Sequence, residues 1–499
     1  MDPTYIKNLH DLLVQTSAPD TNAIKAATAT LAKNYWTSSD CIPALFEIIV
    51  SSPEQNIRQL AAVELRKRVN QHQGQLWVNV PQNIRNAIKA RITQIILEEP
   101  TSIVRHTIAR VIAAIAQYEL QGGTEQVTWR ELIPWVEASC VASVAAHREV
   151  GVYVLFTILD NLMDEVSKRL PTFFTLFENL IRDPESAEVR VTAVRCLGQV
   201  AQYIDSDQKP EIKEFQTLIP GMINVLADCL ENSNEEGARN VFDVFETLLI
   251  LETPLLSKHM PQMVEFFLRC GGNKSYETSL RIMSLNSLTW TVKYKKHRIQ
   301  SLNLAKPILE GLMPIGTEED TDDADDECPS RTAFRVIDEL ATSLPPSQVF
   351  PTLHSIVTQY MASSDPGQRK AALTAFAVTL EGCSEFIRPH MRQLWPLIDA
   401  GFADPHPVVR KAALSALGCT CEWLEEEVVG RHSTILPILL DMINNSETQG
   451  AACTALDDFL EILGDTIAQY LPQLMERLSG LLDTAPNSVK GIVTGAIGS

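Results

Sequence analysis

The sequence predicts an all-α fold: a right-handed superhelical solenoid of about twelve HEAT repeats, each an antiparallel pair of helices. Three observations carry this expectation. A short Arg-centred motif recurs along the chain, with successive copies 38 to 50 residues apart. A proline recurs in the helix that precedes it. No stretch between shows the alternation of a half-buried strand.

The clearest copies of the motif are Asp365-Pro366-Gly367-Gln368-Arg369-Lys370-Ala371-Ala372-Leu373 and Asp404-Pro405-His406-Pro407-Val408-Val409-Arg410-Lys411-Ala412-Ala413-Leu414. Asp-Pro ends one helix and caps the next, because Asp offers a side-chain acceptor and Pro suits a first helical turn. Small residues then allow close packing on a neighbour. Weaker copies centre on Arg58, Arg105, Arg148, Arg190, Arg239, Arg281, Arg331, Gln449 and Lys490. The repeated prolines are Pro43, Pro134, Pro171, Pro220, Pro261, Pro351, Pro396, Pro437 and Pro472. An interior proline removes a hydrogen bond and bends a helix, so these predict a curved outer layer.

Four segments follow: 1–150, the first repeats; 151–316, the middle repeats; 317–328, an acidic insertion; and 329–499, acidic repeats. The second helix of the last repeat has barely begun at Ser499, with no polar capping repeat. The chain is therefore expected to be the N-terminal part of a longer, C-terminally truncated array.

The 499 residues hold 62 acidic and 42 basic side chains, a formal net charge of −20. Residues 1–150 hold 14 of each sign, whereas residues 301–499 hold 12 basic and 28 acidic. This balance excludes a protein that wraps nucleic acid and suits basic partners. No secretory signal or apolar run long enough to span a bilayer is present. The ten cysteines are scattered, and Cys419-Thr420-Cys421 has no second pair or His cluster to complete a zinc site. They read as reduced thiols of the cytosol or nucleus. There is no phosphate loop, HExxH or nucleophile elbow, so no enzyme, cofactor or metal site is expected.

The segment 318–327 places eight carboxylates in ten residues: Glu318, Glu319, Asp320, Asp322, Asp323, Asp325, Asp326 and Glu327. The EF-hand pattern fails, because its sixth and twelfth positions from Asp320 are Asp325 and Arg331. A solvated loop and an electrostatic contact for a basic partner both remain open. The basic run Lys293-Tyr294-Lys295-Lys296-His297-Arg298 is expected to end a helix that reaches Trp290, where the dipole favours cations.

With Arg369, Arg410 and Gln449 as position zero of their second helices, the packing stripe falls at +2, +3, +7 and +10. Position +12 lies about 150° away. It is Glu381, Glu422 and Glu461 in three consecutive repeats. Trp423 and Glu426 flank the second, and Asp457 and Asp458 flank the third. Stacking would align them as an acidic ladder suited to lysine-rich peptides through ion pairs and cation–π contacts. An ordinary solvated helix face is the competing account, since Glu is a good helix former.

Residues 23–97 resemble the importin-beta N-terminal domain. The resemblance rests on Ala26-Ala27, Leu31, Pro43-Ala44-Leu45, the run Ile57-Arg58-Gln59-Leu60-Ala61-Ala62-Val63-Glu64-Leu65-Arg66-Lys67, then Trp77 and Pro81. Further on, the segments 240–252 and 290–296 resemble the importin-four branch, which imports histones and ribosomal proteins. The resemblance implies a monomeric nuclear import receptor shuttling between cytoplasm and nucleus. Its partners would be basic cargo, phenylalanine-glycine nucleoporins and Ran-GTP, with no direct nucleic-acid or membrane contact. It further implies Ran contacts on second helices, for which Val63, Lys67, Asn70, Arg110 and Gln117 are candidates, and on the acidic insertion. Cargo would lie on the second-helix face, at Glu381, Glu422, Trp423, Glu426, Asp457, Asp458 and Glu461. A HEAT scaffold subunit and a nucleotide-independent histone chaperone are the alternatives.

Overall fold

A computed structural model describes residues 2–120, 129–320, 327–484, 490–491 and 493–495. Among them every regular element is a helix and no strand occurs. Helices alternate as pairs joined by short turns, from Pro3–Thr16 with Thr21–Asn34 to His432–Met442 with Gln449–Leu463. A further first helix spans Leu471–Thr484. The expected HEAT-type array is therefore present. It forms two compact blocks, Met1–Leu255 and Leu256–Ser499.

The recurring arginine has a structural explanation. Arg58 Nη1 donates to the carbonyls of Ser52 and Pro53, in the turn of its own repeat. Its Nε and Nη2 hold Glu99, in the turn of the next repeat, at 2.9 Å each. Arg148 likewise bonds the Ala142 and Ser143 carbonyls and grips Asp183 with two nitrogens. Arg369 bonds the Ser363 carbonyl and grips Asp404 at 2.6 and 3.0 Å. Each such arginine satisfies carbonyls orphaned at a helix end and ties two repeats together with a forked, charge-assisted pair. Burial pushes the Asp404 carboxyl up, but hydrogen bonds from Arg369 and the His406 N–H more than reverse this and hold it below its ordinary range.

This role changes the reading of the Asp-Pro motif. Asp365 does cap its helix, accepting from the Gly367 N–H at 2.9 Å, with Pro366 in the first turn. Asp404 does not cap: the helix Pro407–Trp423 begins three residues later, and the carboxylate serves Arg369 instead. Several prolines also sit elsewhere than expected. Pro220, Pro351, Pro396 and Pro437 lie inside helices. Pro43 and Pro134 are third residues of their helices, and Pro171, Pro261 and Pro472 are second residues. In the first turn the missing N–H has no intrahelical partner to lose, so these five start helices rather than bend them.

Second helices pack on their sequence neighbours through the predicted stripe. Ala371, Ala372, Phe376, Ala412, Ala413, Leu417, Ala452, Leu456 and Phe459 are all buried, with Ala451 half-buried. Trp77 is fully buried, and its indole N–H donates to Glu119, which Lys89 also holds at 2.8 Å. The basic run departs from expectation: the helix continues through it, over Thr278–Ser301, with a kink at Lys295. The cations 293–298 therefore flank a kink and do not simply cap an end. No disulfide forms; nine cysteines are buried and Cys419 is half-buried. Among the described residues no helix is long and apolar enough to cross a membrane, and no His/Cys/Asp/Glu group is arranged to hold a metal.

Candidate functional site: an acidic pocket on the second helices

In the second block, the second helices Pro329–Ser343, Pro366–Ile387 and Pro407–Trp423 pack side by side. Two glycines set how closely these helices and the next approach. A Cβ on Gly382 would lie 2.0 Å from the Ala341 carbonyl oxygen, so only glycine lets the first two helices close beside Glu381. A Cβ on Gly418 would lie 2.5 Å from Asp458 Oδ2, so this glycine seats Asp458 of the helix Gln449–Leu463 against the helix that carries Glu422.

Between the three helices opens a cavity of about 420 Å³. Asp338, Glu381 and Glu422 line it, one carboxylate from each helix, with Trp423 and Phe334 as aromatic wall and Arg331 and Arg335 also contributing. None of the three carboxylates makes an ion pair among the described residues. Asp338 shows the consequence: burial first, then the charges of Glu381 and Glu339, push its carboxyl up to about 6. Asp458 is also raised, by burial and then by Asp457, Glu461 and Glu422. Burial, then Glu422 and Asp458, raises the Cys419 thiol on the cavity wall. A site whose carboxylates raise the pKa of Asp338 and Asp458 is short of positive charge, and an entering cation would relieve it.

The structure thus brings Glu381, Glu422 and Trp423 together as the sequence predicted. Asp457, Asp458 and Glu461 extend the acidic wall one repeat further, with Glu461 exposed. Glu426 departs from it: it lies in the short helix Glu425–Val429 and faces Arg388 at 3.6 Å. Asp338 was missed because counting from Arg331 puts Ser343, not Asp338, at position +12. Asp338 lies 43 residues before Glu381, one repeat length, and counting backward from the ladder finds it.

The acidic insertion is rooted, not free, at its near end. Glu318 accepts from Arg281 at 2.7 Å. The buried Lys370 ammonium donates to the Glu318 carbonyl at 2.9 Å and to Asp320 at 3.2 Å. Glu318 is mostly buried by these contacts, so its expected availability to a partner is corrected; Glu319 is exposed. Glu327 pairs with Arg335 at 3.2 Å. Asp322, Asp323, Asp325 and Asp326 lie outside the described residues.

In the first block a second cavity, of about 390 Å³, brings together three of the five early candidates: Asn70, Arg110 and Gln117, with Arg66, Asn161 and Gln199. Val63 and Lys67 lie on the same helix as Asn70 but outside the cavity, and Lys67 pairs with Glu64 at 2.6 Å. Its chemistry is opposite to the first: polar and basic where the other is acidic.

Stacked helix pairs of this kind define a HEAT-type solenoid. Three family models match: the importin-beta N-terminal domain over residues 27–98, IPO5-like TPR repeats over 100–266, and a HEAT-like repeat over 366–420. The chain is 36% identical over 506 residues to a probable importin subunit beta-4 of Schizosaccharomyces pombe, covering 100% of this chain and 46% of that protein. It is 28% identical over 452 residues to importin-4 of Homo sapiens, covering 87% and 40%. The solved structure of Kap121p superposes with a TM-score of 0.86 at 20% identity, covering 99% of this chain and 49% of that one. The chain belongs to the importin-beta family, and it spans about half the length of the relatives it matches.

Proposed function

We propose that this chain is the cargo- and Ran-engaging portion of a nuclear import receptor, and that its acidic wall takes lysine-rich segments of basic proteins. The observation that carries the reading is the cavity in which three carboxylates, Asp338, Glu381 and Glu422, make no ion pair among the described residues, beside Trp423. A lysine ammonium there would meet several carboxylates at once, and its methylene stem would lie on the indole. Family membership supports the transport role. Solved structures of Kap121p include complexes with RanGTP and with Pho4p.

Histones and ribosomal proteins are the cargo class that fits, since both are rich in lysine. Ran-GTP engages the polar cleft of Asn70, Arg110 and Gln117 with the neighbouring Val63 and Lys67. The exposed acidic residues Glu319 and Glu327 add a second contact, and phenylalanine-glycine nucleoporins would complete the shuttling cycle. Nothing is catalysed: release is a coupling of two binding free energies.

The test is a pull-down of basic cargo and of Ran locked in its GTP or GDP form. Ran-GTP should be retained over Ran-GDP, and should displace a lysine-rich peptide. Cargo binding indifferent to Ran would favour a histone chaperone, and no GTP preference at all a scaffold. The charge reversal Glu422→Lys should weaken the peptide at least tenfold in low salt, with the loss shrinking as salt rises. Unchanged affinity would remove the pocket from the proposal.

A further inference from the structure

Arg335 lines the acidic cavity, yet it does not neutralise it. Its guanidinium is engaged outside the ring of carboxylates, with Nη1 on Glu327 Oε1 at 3.2 Å. Asp338 lies three residues further along the same helix. Side chains at i and i+3 share a face, with Cβ atoms about 5–6 Å apart. One arginine is therefore within reach of two carboxylates, Glu327 outside the cavity and Asp338 inside it. Both partners of the existing pair are about half exposed, 50% and 54%. An exposed pair of this kind is weak and exchanges freely.

The geometry points to Arg335 as a resident competitor for the basic side chain that the cavity takes, held off by Glu327 and admitted whenever Glu327 is neutralised or engaged by a partner. This rests on the reading of the cavity as a lysine site. Two features of the structure support it. Among the described residues Arg335 pairs with Glu327 and makes no ion pair with Asp338, Glu381 or Glu422, as expected if its guanidinium is turned away from them. Glu327 is also the last carboxylate of the acidic insertion, two residues before the pocket-lining helix starts at Pro329. A basic partner that takes up the charge of Glu327 would thereby release Arg335 toward Asp338. The cavity would gain a cation beside Asp338, and a bound lysine would lose its advantage. Affinity at the cavity thus becomes a function of what sits on Glu327, without any helix moving.

The proposal predicts epistasis, which simple long-range electrostatics does not. In the full chain, anisotropy of a short fluorescent peptide of alternating lysine and serine measures affinity in low salt. Arg335→Gln should tighten the peptide about two- to fivefold, and Glu327→Gln should weaken it by a similar factor, the range set by one exposed ion pair. In the Arg335→Gln background, Glu327→Gln should have no effect. An equal effect of Glu327→Gln in both backgrounds would overturn the proposal, as would an Arg335→Gln variant that binds no tighter.

A second readout needs no peptide. The groups facing Asp338 are Arg331, Arg335, Glu339, Glu381, Cys419 and Glu422. Carboxyl-carbon NMR of Asp338 should show its titration moving down on Glu327→Gln only while Arg335 is present. If the unmodified chain fails to bind the peptide, the lysine-site reading falls, and the Asp338 titration still decides whether Arg335 moves between the two carboxylates.

Discussion

Replacing Asp338 with Asn should stabilise the fold and weaken the site at once. Asp338 is held near 6 against an ordinary value of 3.8, through burial and two acidic neighbours. Between these two values the folded chain holds a proton that the unfolded chain has released. Stability therefore falls as pH rises from about 4 to 6, and the full penalty is present above 6. Two units would be about 3 kcal/mol at face value. Because the group is only partly buried, screening reduces this to about 1 kcal/mol. Asp338→Asn should recover that amount at pH 7.5, raising the melting temperature by about 1–2 °C. The gain should shrink below pH 6 and vanish near pH 4. The same variant should bind a lysine-rich peptide about two- to fivefold more weakly at pH 7.5, having lost one of three carboxylates. Thermal melts over pH 4–8, read by circular dichroism, together with peptide anisotropy, measure both. A destabilised Asp338→Asn at pH 7.5, or a melting shift that ignores pH, would refute the account of a charge-frustrated pocket.

Asp404→Ala leaves Arg369 without its forked partner and the His406 N–H without its acceptor, and should cost about 3 kcal/mol in urea unfolding. An unshifted midpoint would show that the turn stitches are not structural supports. Trp423→Ala should weaken the lysine peptide by about 1 kcal/mol, measured by calorimetry, if the indole carries a cation–π contact. Cys419 is the only cysteine not fully buried, so brief maleimide treatment followed by mass spectrometry should find it modified first. Its thiol is raised by burial and then by Glu422 and Asp458, so Glu422→Gln should speed that labelling near pH 8.

The array was legible because its recurring residues do geometric work. Arg58, Arg148 and Arg369 recur at repeat spacing because each must reach carbonyls in its own turn and a carboxylate in the next. Exposure at Glu381, Glu422 and Glu461 followed from helical angle alone. What failed has physical causes. A proline two residues into a helix and one in its middle look alike until the helix start is known, and start positions are set by turns such as Asp404 to His406. Asp338 escaped because Arg331, taken as the origin of its repeat, puts Ser343 at position +12, while the spacing of 43 residues back from Glu381 leads to Asp338. The clamp of Lys370 on Glu318 and Asp320 joins residues 50 or more apart, a pairing that no local pattern announces.

These contacts also explain how an acidic half-chain becomes an acidic site. Residues 301–499 hold only 12 basic side chains. Arg369, Arg410 and Arg431 are committed to Asp404, Glu447 and Asp399, all carboxylates at turns or on first helices. Lys370 is committed to the root of the insertion, and Arg388 to Glu385 and Glu426. The stitches that hold one repeat to the next thus draw the scarce cations to the turn side. The second-helix wall keeps only Arg331 and Arg335 beside Asp338, Glu381, Glu422, Asp458 and Glu461, and burial together with the acidic neighbours raises the pKa of Asp338 and Asp458. Fold and site therefore compete for the same positive charges. Adding a cation to the wall, as in Glu422→Lys, should relieve the repulsion and cost binding without loosening the array. A stability loss in that variant would mean that the wall is already balanced by charges from elsewhere.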